Sequence, residues 1–273
     1  VTGLAVVDTG TCFTLFGQCA ILLLIQIGGL GLMTVSVALF QWMGKSVSFR
    51  QRMAMQDLFA HTPRADIFSL VRSIVVFTLG AEFMGAVLLT FHWSREFAFP
   101  YAVYAAVFHS VSAFCNAGFA LFPDSMVRYS RDFLLNITIC GLIIIGGIGF
   151  PVLYDFRYWL RKKWKKERGR LSVQTKTVLI TTLILIVFGA LLFAFLEREN
   201  LKTLPSLRQR ILVPVFQSVT CRTAGFNTVD IASLQEATLA MMIFLMFFGA
   251  SPGSCGGGVK TSTLALLTAD RKS

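Results

Sequence analysis

Three short stretches share one pattern: Val1-Thr2-Gly3-Leu4, Asn116-Ala117-Gly118-Phe119 and Thr223-Ala224-Gly225-Phe226. In each, a glycine precedes a large apolar residue, and an aspartate follows five or six positions after the glycine (Asp8, Asp124, Asp230). The second and third are led in by matching runs, Phe108-His109-Ser110-Val111-Ser112 and Phe216-Gln217-Ser218-Val219-Thr220, with one residue of slippage before the glycine. The chemistry this suits is coordination of a dehydrated cation. Backbone carbonyl oxygens can replace a hydration shell without a formal charge, so the ion binds and can still leave. Aiming successive carbonyls at one axis needs backbone angles that glycine adopts at little steric cost, φ > 0 among them. A short helix before such a loop points its negative C-terminal end at the ion. The three aspartates are expected just outside the loops, where they would enrich cations.

The elements that must position these loops are membrane helices. The chain has 273 residues, 55% hydrophobic and 14% charged, with mean hydropathy +0.69, too apolar for an ordinary soluble domain. Charge is absent from Thr9 to Gly44, Phe133 to Tyr154, Thr177 to Leu196 and Ala237 to Val259. A fifth apolar stretch, Ile67 to Trp93, is interrupted only by Arg72 and Glu82. Crossing a bilayer core takes roughly 20 apolar residues as a helix, so five spans are expected: about Phe13–Met43, Ile67–Phe91, Phe133–Trp159, Val173–Leu196 and one from Ala237. The class is all-α, because a helix satisfies its own backbone hydrogen bonds in lipid. Pro100–Cys115 and Arg208–Arg222 are too short to cross and read as half-helices leading into glycine loops. Span, half-helix, glycine loop, span is therefore a repeated unit. It occurs twice in full, and Val1–Gly3 close a third copy that lacks its first span. The division is residues 1–43 (end of repeat one), 44–66 (loop), 67–159 (repeat two), 160–172 (basic loop) and 173–273 (repeat three). Ile27-Gly28-Gly29-Leu30-Gly31 and Ile145-Gly146-Gly147-Ile148-Gly149 occupy matching places and read as sites of close helix approach.

The net charge of +11 is concentrated rather than spread. Eight of the 14 residues from Arg157 to Arg170 are basic, and Lys45 to Arg64 adds four more against Asp57. The opposite loops are mixed in sign. This is a topology signal, not a nucleic-acid footprint, and it puts loops 44–66 and 157–172 in the cytosol of a multi-pass cell-membrane protein. The same run suits contact with anionic lipid or with a cytosolic partner. The six cysteines form no C-x-x-C pair, which argues against a zinc site or a disulfide framework. The chain opens inside a motif and reads as an internal piece of a longer protein.

At these motifs the sequence resembles the Ktr-type membrane subunits of the Trk/Ktr/HKT superfamily of potassium uptake proteins. The residues that carry the resemblance are Thr2-Gly3-Leu4-Ala5-Val6-Val7-Asp8-Thr9-Gly10, Leu24-Ile25-Gln26-Ile27-Gly28-Gly29-Leu30-Gly31, Phe108 to Phe114, Asn116 to Phe119, and Thr223 to Thr228. It implies four helix–pore-helix–helix repeats around one pore, with Val1, Thr2, Gly3, Asn116, Ala117, Gly118, Thr223, Ala224 and Gly225 as filter positions of repeats one to three. It implies passive potassium movement, no bound cofactor, and sodium stimulation. It also implies a homodimer of complete pore subunits on a cytosolic nucleotide-binding regulatory subunit. Glycine at the first filter position, where sodium-favouring members carry serine, points to potassium. A sodium-selective or sodium-coupled carrier of the same architecture is the alternative.

The last apolar stretch is broken by Gly249-Ala250-Ser251-Pro252-Gly253-Ser254-Cys255-Gly256-Gly257-Gly258-Val259-Lys260. Its glycines, serines and proline cannot continue a helix. Gly253 to Gly258 has the glycine spacing of a phosphate loop, but Val259 stands where that motif needs lysine and no strand precedes it. The resemblance implies an intramembrane gate below the filter over 249–260, with small residues that let it swing aside and Lys260 near the pathway or snorkelling to the cytosol. Glu82 reads as a functional candidate or a buried hydrogen-bonding group, and Arg72 as a snorkelling residue. His61, His92 and His109 lack metal-ligand spacing. Glu82, His109 and the cysteines lie on unrelated segments, so an enzyme is not expected.

Overall fold

The structure, a computed structural model, describes residues 7–31, 67–167 and 169–263. The first glycine motif (Val1, Thr2, Gly3) and the 44–66 loop lie outside the described residues. The main helices are α1 (Leu15–Leu30), α2 (Ile67–Trp93), α3 (Phe99–Phe114), α4 (Phe133–Ile148), α5 (Phe150–Trp164), α6 (Val173–Leu196), α7 (Arg198–Thr203), α8 (Leu207–Thr220) and α9 (Glu236–Phe247). Among the described residues there is no strand, only one isolated bridge between Phe248 and Val259. The fold is all-α.

Two helices, α2 and α6, are each long and apolar enough to cross a membrane. The expected third span, Phe133–Trp159, is not one straight helix. It breaks at Gly149 (φ +94°), and α5 leaves α4 at 98°. Pro151 stands in the first turn of α5, where its missing N–H costs nothing, so the sequence restarts a helix instead of continuing one. The other two inner helices also stop early. α1 ends at Gly31 (φ +79°), and α9 gives way to the glycine-rich loop after Phe247. Among the described residues two helices are long and apolar enough to cross, or three with the bent α4–α5 pair taken as one, and α1 and α9 are shorter apolar helices. The rest of the first expected span lies outside the described residues.

Repeats two and three share one packing contact between their short and long helices. Ser110 Oγ on α3 donates to the Glu82 carbonyl on α2 at 2.7 Å, and Ser218 Oγ on α8 donates to the Ile186 carbonyl on α6 at 2.7 Å. One turn along each long helix stands a glycine. A Cβ on Gly85 would lie 2.5 Å from Ser110 Oγ and 2.6 Å from Leu142. One on Gly189 would lie 2.5 Å from Ser218 Oγ and 2.9 Å from Leu245. Each short helix therefore seats against its long helix at a place where only a glycine leaves room, with an inner-helix leucine closing the contact. Phe108 and Phe216, equivalent in the two short helices, are fully buried. Each bond satisfies a buried serine hydroxyl, which matters where no water is available.

Candidate functional site

The two described glycine loops have the same backbone. Asn116 (φ +51°) and Gly118 (φ +73°) flank Ala117, which has negative φ; Thr223 (φ +65°) and Gly225 (φ +87°) flank Ala224 likewise. Alternation of sign at consecutive residues turns successive peptide groups the same way, unlike a regular strand. Each loop is stapled by the helix before it. Ser112 Oγ donates to the Phe119 carbonyl at 2.7 Å, and Thr220 Oγ1 to the Phe226 carbonyl at 2.6 Å. The helix ends also receive the loop amides: Ala117 N donates to Ser112 O at 2.8 Å and Ala224 N to Thr220 O at 2.9 Å. Asn116, Ala117, Gly118, Thr223 and Ala224 are buried, and Gly225 is half-buried.

The structure brings the two loops together. On one side, Met126 N donates to the Asn227 carbonyl at 2.9 Å, and Asn227 N to Ser125 Oγ at 3.3 Å. On the other, the Asn116 amide and Thr223 Oγ1 both lie against Gly256, within 3.0 Å of where its Cβ would stand. The aspartates beyond the loops have local roles. Asp124 Oδ2 accepts from Arg128 N at 3.1 Å and Asp230 Oδ1 from Ala232 N at 3.0 Å, capping short turns, whereas Asp8 makes no side-chain cap.

Residues 249–260 form a compact loop tied across its own neck. Gly249 N donates to Val259 O and Ala250 N to Gly257 O, both at 3.1 Å. A Cβ on Gly249 would fall 1.9 Å from the Gly257 carbonyl, so this neck admits no side chain. The loop touches all three repeats. Cys255 Sγ donates to Gly29 O at 3.1 Å, Ser251 N to Gly147 O at 3.0 Å, Cys255 N to Gly146 O at 3.1 Å and Gly257 N to Thr223 Oγ1 at 3.1 Å. Gly253 O accepts from Phe150 N at 3.0 Å. The expectation of a loop free to swing thus meets a bonded one, whose displacement must exchange several hydrogen bonds. Lys260 does not snorkel outward. It is half-buried, and its Nζ donates to Gly256 O at 2.8 Å within the loop.

The paired glycines act as expected at their inner faces. A Cβ on Gly146 would collide with the Phe114 carbonyl at 1.8 Å, and one on Gly29 with Cys115 Sγ at 2.2 Å. Glu82 is 5% exposed, and its Oε1 accepts from Cys115 Sγ at 3.7 Å, directly behind the repeat-two loop. His109 is fully buried, with Nδ1 2.7 Å from Ala105 O and Nε2 accepting from Leu121 N at 3.2 Å. That pair of contacts fixes the proton on Nδ1 and makes it a strut for the loop that follows the glycine. Arg222, which sequence reasoning passed over, is 6% exposed and stands where repeat two has Cys115. Its Nη2 reaches Gly249 O at 3.5 Å, while its Nε has no partner among the described residues. Among the described residues no cluster of His, Cys, Asp or Glu could hold a metal ion.

Long apolar helices, with short helices leading into repeated loops between them, make this a membrane-type fold. The family described as Cation transport protein (TrkH) matches residues 1–273. The chain belongs to that family. It is 44% identical over 268 residues to the Ktr system potassium uptake protein B of Vibrio alginolyticus, covering 97% of this chain and 58% of that protein. It is 39% identical over 270 residues to the protein of the same name from Bacillus subtilis, covering 98% and 59%. The crystal structure of the potassium transporter TrkH from Vibrio parahaemolyticus shares the fold with a TM-score of 0.68 at 21% identity, covering 99% of this chain and 52% of that one. The chain thus spans somewhat under two thirds of the length of these relatives, which are named as transport proteins, not enzymes. As a TrkH-family chain with long apolar helices, it is a multi-pass membrane protein of the Ktr/Trk kind.

Proposed function

We propose that, within the complete protein, this chain carries potassium passively across the cell membrane along its electrochemical gradient, through a filter of backbone carbonyls. Val1, Thr2 and Gly3, Asn116, Ala117 and Gly118, and Thr223, Ala224 and Gly225 are three of its strands. The observation that carries the reading is the recurrence of one loop backbone, with alternating φ sign and a hydroxyl staple, in two repeats whose loops meet at Gly256. A carbonyl ring needs quasi-equivalent segments on a shared axis, and convergence on one glycine supports that.

Residues 249–260 are the gate in this reading. The loop lies against the first residue of both described filter strands and is held by inner-helix carbonyls of repeats one and two. A homodimer of complete subunits, a cytosolic nucleotide-binding regulatory partner and stimulation by sodium complete the proposal.

The test is potassium uptake by the complete protein in cells lacking their own uptake systems. Growth at low potassium is expected, with a gain in flux when residues 249–260 are shortened. Unchanged flux after shortening would remove the gate. Failure to restore growth while sodium flux persists would replace the potassium reading with the sodium carrier.

A further inference from the structure

The basic helix α5 is not a loop hanging from the membrane. It leaves α4 at 98°, so with α4 running through the bilayer it lies along the bilayer surface. Its depth is set by α6. Asp155 Oδ2 accepts from Ser172 N at 3.0 Å, and Ser172 is the N-cap of α6, the span that starts there. α5 is therefore at the cytosolic end of the spans, at the level of the headgroups.

Its side chains suit that level. Val152 is buried against the protein, while Phe156, Tyr158 and Trp164 are exposed, Trp164 at 85%. Arg157, Arg161, Lys163, Lys165 and Lys166 are exposed as well. None of them is in an ion pair among the described residues, where the ion pairs involve His92, Arg128, Arg198 and Lys202. Lys162 Nζ lies 4.9 Å over the Tyr158 ring and Lys163 Nζ 5.0 Å over the Trp159 ring, so ammonium groups and aromatic faces are interleaved. Aromatic rings at headgroup depth beside uncompensated cations are the composition of a helix that rests on anionic lipid.

The same helix is joined to the 249–260 loop at its first turn. Phe150 N donates to Gly253 O at 3.0 Å. A Cβ on Gly149 would stand 2.6 Å from Pro252 O, and one on Gly253 would stand 3.0 Å from the Pro151 ring. No flexible segment separates the surface helix from the loop.

We propose that α5 binds the phosphate headgroups of anionic phospholipid and that this docking draws on the 249–260 loop through the Phe150–Gly253 contact, favouring conduction. The second half rests on the gate reading above; the first does not. The experiment uses the complete protein in vesicles of phosphatidylcholine alone or mixed with phosphatidylglycerol. Wild type is compared with a variant carrying Arg157→Gln, Arg161→Gln, Lys163→Gln and Lys166→Gln. Two quantities are read: quenching of Trp164 fluorescence by brominated phosphatidylglycerol, judged against Trp164→Phe, and potassium flux. Phosphatidylglycerol is expected to raise wild-type flux by about fivefold, with the gain lost in the variant and at high salt. Trp164 quenching should weaken in parallel. Equal quenching in wild type and variant would overturn the docking, whatever the flux does. Quenching that depends on the four cations, with flux indifferent to phosphatidylglycerol, would overturn the coupling and leave the docking. A variant indifferent to lipid but deaf to its cytosolic partner would assign the surface to an acidic protein instead.

Discussion

Thr220 Oγ1 donates to the Phe226 carbonyl at 2.6 Å, spanning the whole glycine loop from the last residue of α8 to the residue after Gly225. Ser112 does the same for Phe119. The hydroxyl sets the loop's end-to-end distance and so the spacing of the carbonyls between. Thr220→Val keeps shape and volume but strands a buried carbonyl, at about 1–3 kcal/mol. The expected outcome is a lower potassium-to-sodium uptake ratio with near-normal expression, and Thr220→Ser close to wild type. A ratio unchanged in Thr220→Val would separate the staple from selectivity.

Gly118→Ala and Gly225→Ala place a Cβ on residues at φ +73° and +87°. The left-handed conformation costs a side-chain-bearing residue about 1–2 kcal/mol, so the loop is expected to relax toward negative φ and turn a carbonyl away. Potassium uptake should fall by an order of magnitude or more, while the thermal midpoint of the detergent-purified complete protein moves only a few degrees. Uptake near wild type in both variants would mean that these carbonyls do not face the ion.

The seats at Gly85 and Gly189 give a paired prediction about stability. Each alanine would meet a serine Oγ 2.5 Å away and a leucine methyl within 3 Å, so each should cost about 1–3 kcal/mol by overpacking. Adding Ser110→Ala to Gly85→Ala should recover part of the loss, since the clash goes with the hydroxyl. A double-mutant cycle on thermal unfolding measures that coupling. Strict additivity would mean that the two residues do not share the contact.

The repeat, the half-helices and the two loops were legible because their signals are local: a glycine two residues after a polar one, an apolar run of fixed length, a matching lead-in. The hydroxyls were legible in part. Ser112 and Thr220 occur in the matched lead-ins, but their bonds to Phe119 and Phe226 depend on how the chain turns after the helix. The bend at Gly149 was missed because hydropathy continues unbroken from Phe133 to Tyr154 and does not report direction. The Gly-Phe-Pro sequence at 149–151, followed by the onset of positive charge, was the available sign. Gly85, Gly189 and Arg222 were invisible for another reason. A glycine inside an apolar helix looks like any other until the partner that fills its space is known, and Arg222 reads as an ordinary loop cation until the fold buries it. Val1, Thr2 and Gly3 lie outside the described residues.

Glu197 carries the last prediction. From its position among Arg198, Glu199 and Lys202 it reads as one more charge in a mixed loop, yet it is 1% exposed. Its Oε1 accepts from Gln235 N at 2.8 Å and Thr238 Oγ1 at 2.5 Å, and its Oε2 accepts from Asn200 Nδ2 at 2.5 Å. Gln235 is the N-cap of α9, so the C-terminal end of α6 supplies the cap that α9 lacks in its own sequence, with an acidic group at the positive end of the helix. α9 runs directly into the 249–260 loop. Glu197→Ala removes the acceptor of three donors, the buried Thr238 hydroxyl among them, and is expected to cost about 2–4 kcal/mol. Glu197→Gln retains one acceptor oxygen and should cost roughly half as much. The thermal midpoint of the purified complete protein should rank wild type above Glu197→Gln above Glu197→Ala. Amide hydrogen exchange in the first turn of α9 should accelerate in the same order, because loosening begins where the cap is lost. Equal midpoints for the two variants would show that the negative charge, and not the geometry of acceptance, fixes α9 in place.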